Sequence, residues 1–583
     1  MTSTFDAMTE ALPGTAADGR LLDGDAAADD YRGDECLTVE HVAPGAVVVP
    51  RDTAEVSEIL RIADERGIPV TGRGAGTGLS GAVVPTPDSL LVSFEAMNSI
   101  LEIDTENHVA VVQPGIRLNE LDEALAEHGL VYPVYPGEYS ASLGGNVNTN
   151  AGGMRAVKYG VTRHHVLGLE VVLPGGEVIR TGGKFVKATS GYDLTQLLVG
   201  SEGTLGLVTE ITLKLHPRLE HQATVMAPFS TLEEVTAAVP RIVDSGINPL
   251  ILEYIDMMTM AAAESYLGLE LGIPAEVKES ALAYLVVMLE SSDSGRLEED
   301  TEALGIQLAE LGAMDVYVLP PAAAESVIDA REKAFWMSKA NNADDIVDIV
   351  VPRARVPEYM NRVSAVANEY EVWIAGCGHA GDGNVHLGVF CGGDEVKRDR
   401  VMHELFDAGT AMGGAISAEH GIGLAKREHF LALEDWSSAH PADAPLGRGH
   451  GDFGDEVRSP HANDGHPWPS REGVRHQLTR RTGECHDAIA PRPKPAGRVR
   501  IRGARGPERN SKLRTTRSGT LSRQSVSHRP GSAGHSQADH HESLLDPGPF
   551  GSGGHPPGRP RGYRGSGARG VLLRCDRWER QDR

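Results

Sequence analysis

Three glycine-rich segments between residues 72 and 206 limit this chain's fold more than any other feature of its sequence. The first, Gly72-Arg-Gly-Ala-Gly-Thr-Gly-Leu-Ser-Gly81, holds five glycines in ten residues. Residues without a Cβ permit tight turns and let backbone amides approach phosphate oxygens closely. One such run reads as a flexible loop as readily as a cradle. The second, Pro136–Gly153, mixes glycines with Ser and Asn side chains that can pair with the polar groups of a large ligand. The third, Gly200–Gly206, leads into the apolar stretch Leu207–Leu215. Three such loops in one stretch are hard to explain as linkers and point to a pyrophosphate-bearing cofactor held on backbone amides. Gly76-Thr-Gly78-Leu-Ser-Gly81 has the bare spacing of a dinucleotide fingerprint, but Pro85 and Pro87 interrupt the helix its last glycine should open. A P-loop is excluded by the missing Gly-Lys-Ser/Thr ending.

The surrounding elements are short and of both kinds. Ala46–Val49 reads as the first strand, and Asp52-Thr-Ala-Glu55 as a cap for a helix facing inward through Val56, Ile59, Leu60 and Ala63. Strands are predicted at Ser89–Phe94 and His108–Val112, a helix at Leu118–Leu125, and a hairpin from Leu169 to Ile179. Farther on, Leu285–Leu289 and Val372–Ala375 suggest strands, while Thr231–Val239 and Pro357–Tyr370 suggest helices. The class is α+β. Residues 1–43 read as a lead-in, 44–219 and 220–435 as two domains, and 436–583 as a basic low-complexity tail.

Charge marks the last boundary sharply. Of the 55 basic and 82 acidic residues, 26 and 15 lie after Asp435, leaving 29 and 67 before it, a balance of −38. Such a body repels nucleic acid and suits solubility at high salt, as in a haloarchaeal-like acidic protein. The Arg/Gly-rich tail supplies a rival reading as an RNA-binding segment, although so abrupt a switch is also what a shifted reading frame would produce. Five scattered cysteines form neither a disulfide framework nor an iron–sulfur motif, so a cytoplasmic location is expected. No apolar run is long enough to span a membrane.

A second constellation lies far downstream. Gly378-His-Ala-Gly-Asp-Gly-Asn-Val-His386 places two histidines seven residues apart, with glycines that allow a loop or bend to turn both inward, and Glu419-His420 follows. A single histidine is more often structural than a ligand. Two imidazoles with one carboxylate, however, form a reasonable divalent-metal set with positions left for water or substrate.

The segments RGAGTGLSGA, GGNVNTNAGG, YGVTRHHVLGLEVVLPGGEV and DLTQLLVGSEGTLGLVTEITLKLHP resemble the FAD-binding domain of the vanillyl-alcohol oxidase (PCMH-type) superfamily, in its glycolate oxidase D-subunit and D-lactate dehydrogenase branch. GHAGDGNVH and EHGIG extend the resemblance into the FAD-linked oxidase C-terminal domain. Together they imply a two-subdomain PCMH-type FAD-binding fold followed by an α+β cap domain with an antiparallel sheet. The resemblance implies FAD contacts from Arg73, Gly74, Ala75, Gly76, Thr77, Gly78, Leu79 and Ser80 in the first loop. It adds Pro136, Gly137, Ser142, Gly144, Gly145, Asn148, Asn150, Gly152 and Gly153 from the second, then Glu202, Gly203 and Val208. Some relatives attach FAD through a first-loop histidine; Thr77 stands in that region here, so noncovalent FAD is expected.

His379, His386 and Glu419 match metal ligands of relatives, with zinc or manganese expected, and His420 matches the base for the substrate hydroxyl. Asn384 is expected to orient the substrate or the metal shell, and Arg353 or, less directly, Lys339 to meet the substrate carboxylate, although a solvated cation is the commoner role for either. The implied reaction is oxidation of a 2-hydroxy acid of the D-lactate or glycolate type, with hydride passing to flavin N5. A dicarboxylic substrate such as D-2-hydroxyglutarate is the runner-up. Electrons would leave to a quinone, a cytochrome or an iron–sulfur or flavoprotein subunit. A homodimer and a peripheral position at the cytoplasmic face of the membrane are further expectations.

Overall fold

The helix Thr53–Arg66 shows how closely local chemistry sets the elements of this chain. Asp52 accepts from the Glu55 amide at 2.9 Å, and Gly67 ends the helix at φ 63°. Val56, Ile59, Leu60 and Ala63 are buried as the spacing predicts. The Glu55 carboxylate does not complete a capping box with Asp52. It accepts instead from the Arg51 amide at 2.8 Å and pairs with Arg20 at 2.6 Å, tying the helix to the N-terminal segment.

The computed structural model describes residues 3–268 and 271–433. The basic tail at 436–583, and with it the RNA-binding reading, lies outside the described residues. The first domain has two main sheets, besides a short antiparallel pairing of Leu130–Val131 with His216–Pro217. In the smaller, Ala46–Val48, Leu90–Ser93 and Val70–Arg73 pair in parallel, with Leu21–Asp23 added antiparallel at the edge. The larger is a five-stranded antiparallel sheet, Ile100–Asp104, Val109–Val112, Leu207–Lys214, Val166–Val172 and Val178–Gly182. These are the two subdomains expected of a PCMH-type fold. The second domain is a seven-stranded sheet in which every pairing is antiparallel. Its core gathers Tyr254, Leu285, Val347 and Leu387 from the sheet with Val235, Tyr359 and Phe406 from the helices that cover it.

Three expectations need correction. Residues 3–43 are more than a lead-in: Met8 and Leu21 enter the same buried cluster as Ile59 and Val92. The strand there is only three residues long and sits in an Ala/Asp-rich context, too brief to show a period. The helix predicted to end at Val239 runs from Leu232 to Asp244 with Pro240 inside it, because Val239 and Ile242 are both needed in the core. The third concerns residues 378–386, where the expected loop or bend is only the turn 380–383 of a β-hairpin, with Trp373–His379 paired to Asn384–Phe390.

The Arg20–Glu55 pair holds the Glu55 carboxyl below its ordinary value, chiefly through the side-chain hydrogen bond. A depressed folded-state value contributes stability above the unfolded value and loses it as pH falls through the folded one. Glu55→Gln should therefore cost about 1 kcal/mol at neutral pH, discounted for partial exposure. The difference from the parent should shrink as pH drops below about 4.5, the ordinary glutamate value. Urea unfolding at several pH values reads both.

Candidate active site

The strand period brings the two motif histidines together. His379 stands opposite Asn384, and His386, two residues on, faces the same side of the sheet. Their rings meet edge-on at 4.9 Å. Glu419 reaches this pair from the turn 417–423: its Oε1 lies 3.1 Å from His386 Nε2 and 3.3 Å from His379 Nε2. His420 stacks on His386 with centroids 5.2 Å apart and places Nε2 3.9 Å from the same oxygen.

Two buried carboxylates that the motifs did not reveal organise this cluster. Glu253 binds His379 Nδ1 through Oε1 at 2.6 Å and Arg331 Nε through Oε2 at 2.7 Å. Asp348, fully buried, accepts through Oδ2 from Ser417 Oγ at 2.8 Å, from the His420 amide at 2.9 Å and from Lys426 Nζ at 3.2 Å. The amides of Ala418 and Glu419 converge on the same oxygen. Both carboxylates sit in apolar strands, Ile251–Asp256 and Asp345–Val350. A charge inside such a strand was the signal that could have found them.

Electrostatics separates the imidazoles. Burial alone would lower the pKa of His379, but Glu253 and Glu419 outweigh it and raise it to about 10. His420 goes the other way: burial dominates, Lys426 and His386 add to it, Asp348 only partly offsets them, and the value falls to about 4. Desolvation acts on the Glu419 carboxyl too, yet the histidines around it hold it well below the ordinary range.

A single cavity joins this cluster to the glycine loops. Residues Gly74–Ser80 line it, as do Pro136, Gly137, Ser142 and Gly145. The first two loops touch one another: a Cβ at Gly74 would overlap Ser142 Oγ, which accepts from the Ala75 amide at 3.1 Å. Asn146, missed by the sequence reading, also lines the cavity, and its Nδ2 is buried without a partner. An orphaned donor among converging backbone amides fits a cofactor with carbonyl or phosphate acceptors. His379, His386, Glu419 and His420 line the opposite part.

Other expected residues act around the cavity. Arg73 lies beneath the first loop with its guanidinium 5.5 Å from the Tyr31 ring centre. Gly144 packs against Pro114, and Gly153 sits at φ 135° with no room for a Cβ beside Tyr135. Gly152 leaves space for Glu419: a Cβ there would come within 2.7 Å of Oε2. Asn148 joins its helix to the third loop, donating to Gly144 O at 2.7 Å and accepting from the Gly203 amide at 3.0 Å. Asn150 ends the same helix and accepts from the Arg163 amide. Glu202 accepts from the amides of Ile422 and Gly423 at 2.8 and 2.9 Å, and Val208 is a buried strand residue.

Two expected substrate contacts are placed elsewhere, and Asn384, expected at the substrate or the metal shell, lies against Asp348. Asn384 is buried and donates to Asp348 and Ile349 O, so it supports the turn rather than the cavity. Arg353 is exposed in a short helical turn and is not among the residues lining the cavity. Lys339 pairs with Glu35 at 2.6 Å over the Phe335 and Trp336 rings, a bridge between the domains at the surface. Motif proximity gave their positions in the chain but not the directions of their side chains. Arg331 is the cation that does line the cavity, and its Nη2 is buried without a partner.

Among the described residues, Asp348, His386, Glu419 and His420 form a group that could hold a metal, with ligand atoms within 4.8 Å of one another. The amides, Ser417 and Lys426 already occupy Asp348 Oδ2, and an ammonium 3.2 Å away disfavours a cation there. Nε2 of His379 and of His386 with Glu419 suits a divalent cation better, since Glu253 fixes Nδ1 of His379 and leaves Nε2 as its ligand atom.

Comparison with known proteins agrees with this architecture. A family model described as an FAD binding domain matches residues 44–182, and one described as FAD linked oxidases, C-terminal domain, matches 218–436. An uncharacterized FAD-linked oxidoreductase of Mycobacterium tuberculosis is 54% identical over 428 residues, 73% of this chain and 93% of that protein. A D-lactate dehydrogenase of Anaerostipes hadrus is 36% identical, covering 70% and 88% of the two chains. The glycolate oxidase subunit GlcD of Bacillus subtilis is 37% identical, covering 66% and 82%. These relatives lend no support to a haloarchaeal-like, salt-adapted reading of the acidic body. The solved structure of p-cresol methylhydroxylase shares the fold, with a TM-score of 0.61 at 16% identity over 73% of this chain and 91% of that one. The chain belongs to the FAD-linked oxidases, in the branch that contains the glycolate oxidase D-subunits and D-lactate dehydrogenases, and is an FAD-dependent oxidoreductase.

Proposed function

We propose that this protein oxidises a 2-hydroxy acid to the 2-oxo acid and passes the electrons to an external acceptor. The observation that carries the reading is the joining of the His379–His386–Glu419–His420 cluster to the glycine loops in one cavity. Relatives named D-lactate dehydrogenase and glycolate oxidase support a small monocarboxylate of that type. Noncovalent FAD supplies the hydride acceptor when bound, and a divalent cation, zinc or manganese, supplies Lewis acidity.

The chain's own groups divide the remaining work. Arg331, rather than Arg353 or Lys339, neutralises the substrate carboxylate: it lines the cavity and has a spare buried Nη2 donor. Guanidinium geometry also suits that anion. Glu253 holds Arg331 and His379 at once, fixing the carboxylate anchor relative to the cation ligands. His420 faces Asp348 through Nδ1 at 3.8 Å, which leaves Nε2, on the Glu419 side, to take the hydroxyl proton. The first two glycine loops and Asn146 hold the flavin. Among the described residues no helix is long and apolar enough to cross a membrane, and a peripheral association or a homodimer belongs to the same proposal.

The test is anaerobic bleaching of the bound flavin by lactate, malate and 2-hydroxyglutarate in both enantiomers, with glycolate alongside; no bleaching by any of them at full FAD occupancy would sink the reading. His420→Asn should slow bleaching by roughly 10²–10⁴-fold while the flavin stays bound. Glu253→Gln should weaken the cation site by about 10–100-fold, read as metal content after dialysis against a buffered series of free zinc or manganese.

A further inference from the structure

The cavity that holds the histidines is also lined by residues the proposed reaction does not use. Among the described residues that line it, Arg331 is the only arginine or lysine, and Glu332 adds a carboxylate to Glu419, while Asp34, Glu35 and Glu138 are engaged by the Cys36 amide, Lys339 and Ser140. A 2-hydroxy acid uses the one cation for its own carboxylate. A second carboxylate would be desolvated without a partner and would face Glu332 and Glu419.

What the wall does offer is apolar. Ile346 stands opposite Gly388 in the ladder that pairs Asp348 with His386. Ile346 is therefore on the same face as His386 and its diagonal neighbour, at roughly 7–8 Å by sheet geometry. Gly388 adds no side chain over it. Phe335 and Trp336, from the helix Ala334–Ala340, line the same cavity and pack edge-on with centroids 5.2 Å apart. None of these three side chains belongs to the buried hydrophobic clusters of the described residues. Ile346 and Phe335 are half-buried yet serve no core. Apolar groups held at a cavity wall outside any core fit an apolar ligand group.

We propose that the substrate is a 2-hydroxy monocarboxylate with a bulky aliphatic or aromatic substituent on the hydroxyl-bearing carbon, seated against Ile346, Phe335 and Trp336, and that dicarboxylic hydroxy acids are rejected. This rests on the hydroxyacid reading above and narrows it. Each buried methylene contributes about 0.8 kcal/mol, roughly fourfold in rate at limiting substrate.

The FAD-loaded full chain is mixed anaerobically with glycolate, lactate, 2-hydroxy-4-methylpentanoate, 3-phenyllactate, malate and 2-hydroxyglutarate, in both enantiomers where the acid is chiral. The second-order rate of flavin bleaching should be at least about 10-fold higher for the branched and aromatic acids than for lactate, and lowest for the two dicarboxylates. Ile346→Ser and Phe335→Ala should each shrink the ratio of 2-hydroxy-4-methylpentanoate to lactate several-fold, with flavin content measured on the same samples. Dicarboxylates that bleach as fast as the branched acid, or lactate that bleaches fastest, would overturn the proposal and leave the hydroxyacid reading standing. Variants that shed flavin without a change in the ratio would assign the apolar wall to the cofactor and overturn it as well. Silence from every hydroxy acid would remove the underlying reading, and this one with it.

Discussion

The active site is organised around a charge with no access to water. Asp348 is fully buried in the middle of a strand, where an isolated carboxylate would be prohibitively costly. It survives because the turn at 417–420 folds its amides onto Oδ2, and Lys426 and Asn384 complete the set. The dependence runs in both directions. Without the turn, Asp348 would be an unpaired interior anion; without Asp348, three amides and an ammonium would lose their common acceptor. His420 and Glu419 lie in this turn, so their positions follow from a hydrogen-bond requirement rather than from packing alone.

A second layer of contacts ties that turn to the first domain. Ser80, in the first glycine loop, donates to His420 O at 2.8 Å and accepts from the Ala425 amide at 3.0 Å. Glu202, in the third loop, accepts from Ile422 and Gly423. The first two glycine loops thus line the cavity, and the first and third clamp the element that carries the histidine–glutamate pair. An FAD-linked oxidoreductase needs its flavin and its substrate groups in fixed relation, because small displacements between reacting groups cost large factors in rate. Here that relation is carried by the Ser80 hydroxyl and the Glu202 carboxylate, each held on backbone groups of residues 420–423.

The sequence made the polar ends of this arrangement visible and hid its supports. Glycine clusters and the paired histidines stand out because they break the hydrophobic pattern. Asp348 and Glu253 sit in Asp345–Val350 and Ile251–Asp256, where the strand period explains every neighbour and leaves the acid unaccounted for. Arg331 lies near the end of an ordinary-looking helix, Pro321–Glu332, and nothing local distinguishes it from Arg353, which is exposed. The hairpin carrying His379 and His386 was hidden by its own glycines, which suggest a loop although the register shows a ladder. Direction, more than identity, was missing: a motif states which groups are near one another in the chain, and only the sheet states which way they face.

The clamp of Ser80 and Glu202 on residues 420–425 also sets an order on the birth of the protein. A ribosome releases the glycine loops some two hundred residues or more before the turn that completes their cavity. Through that interval the first domain can fold while the cavity remains open on one side, and it closes only when the far end of the second domain arrives. A chain halted before residue 417 would carry the loops without the element they grip.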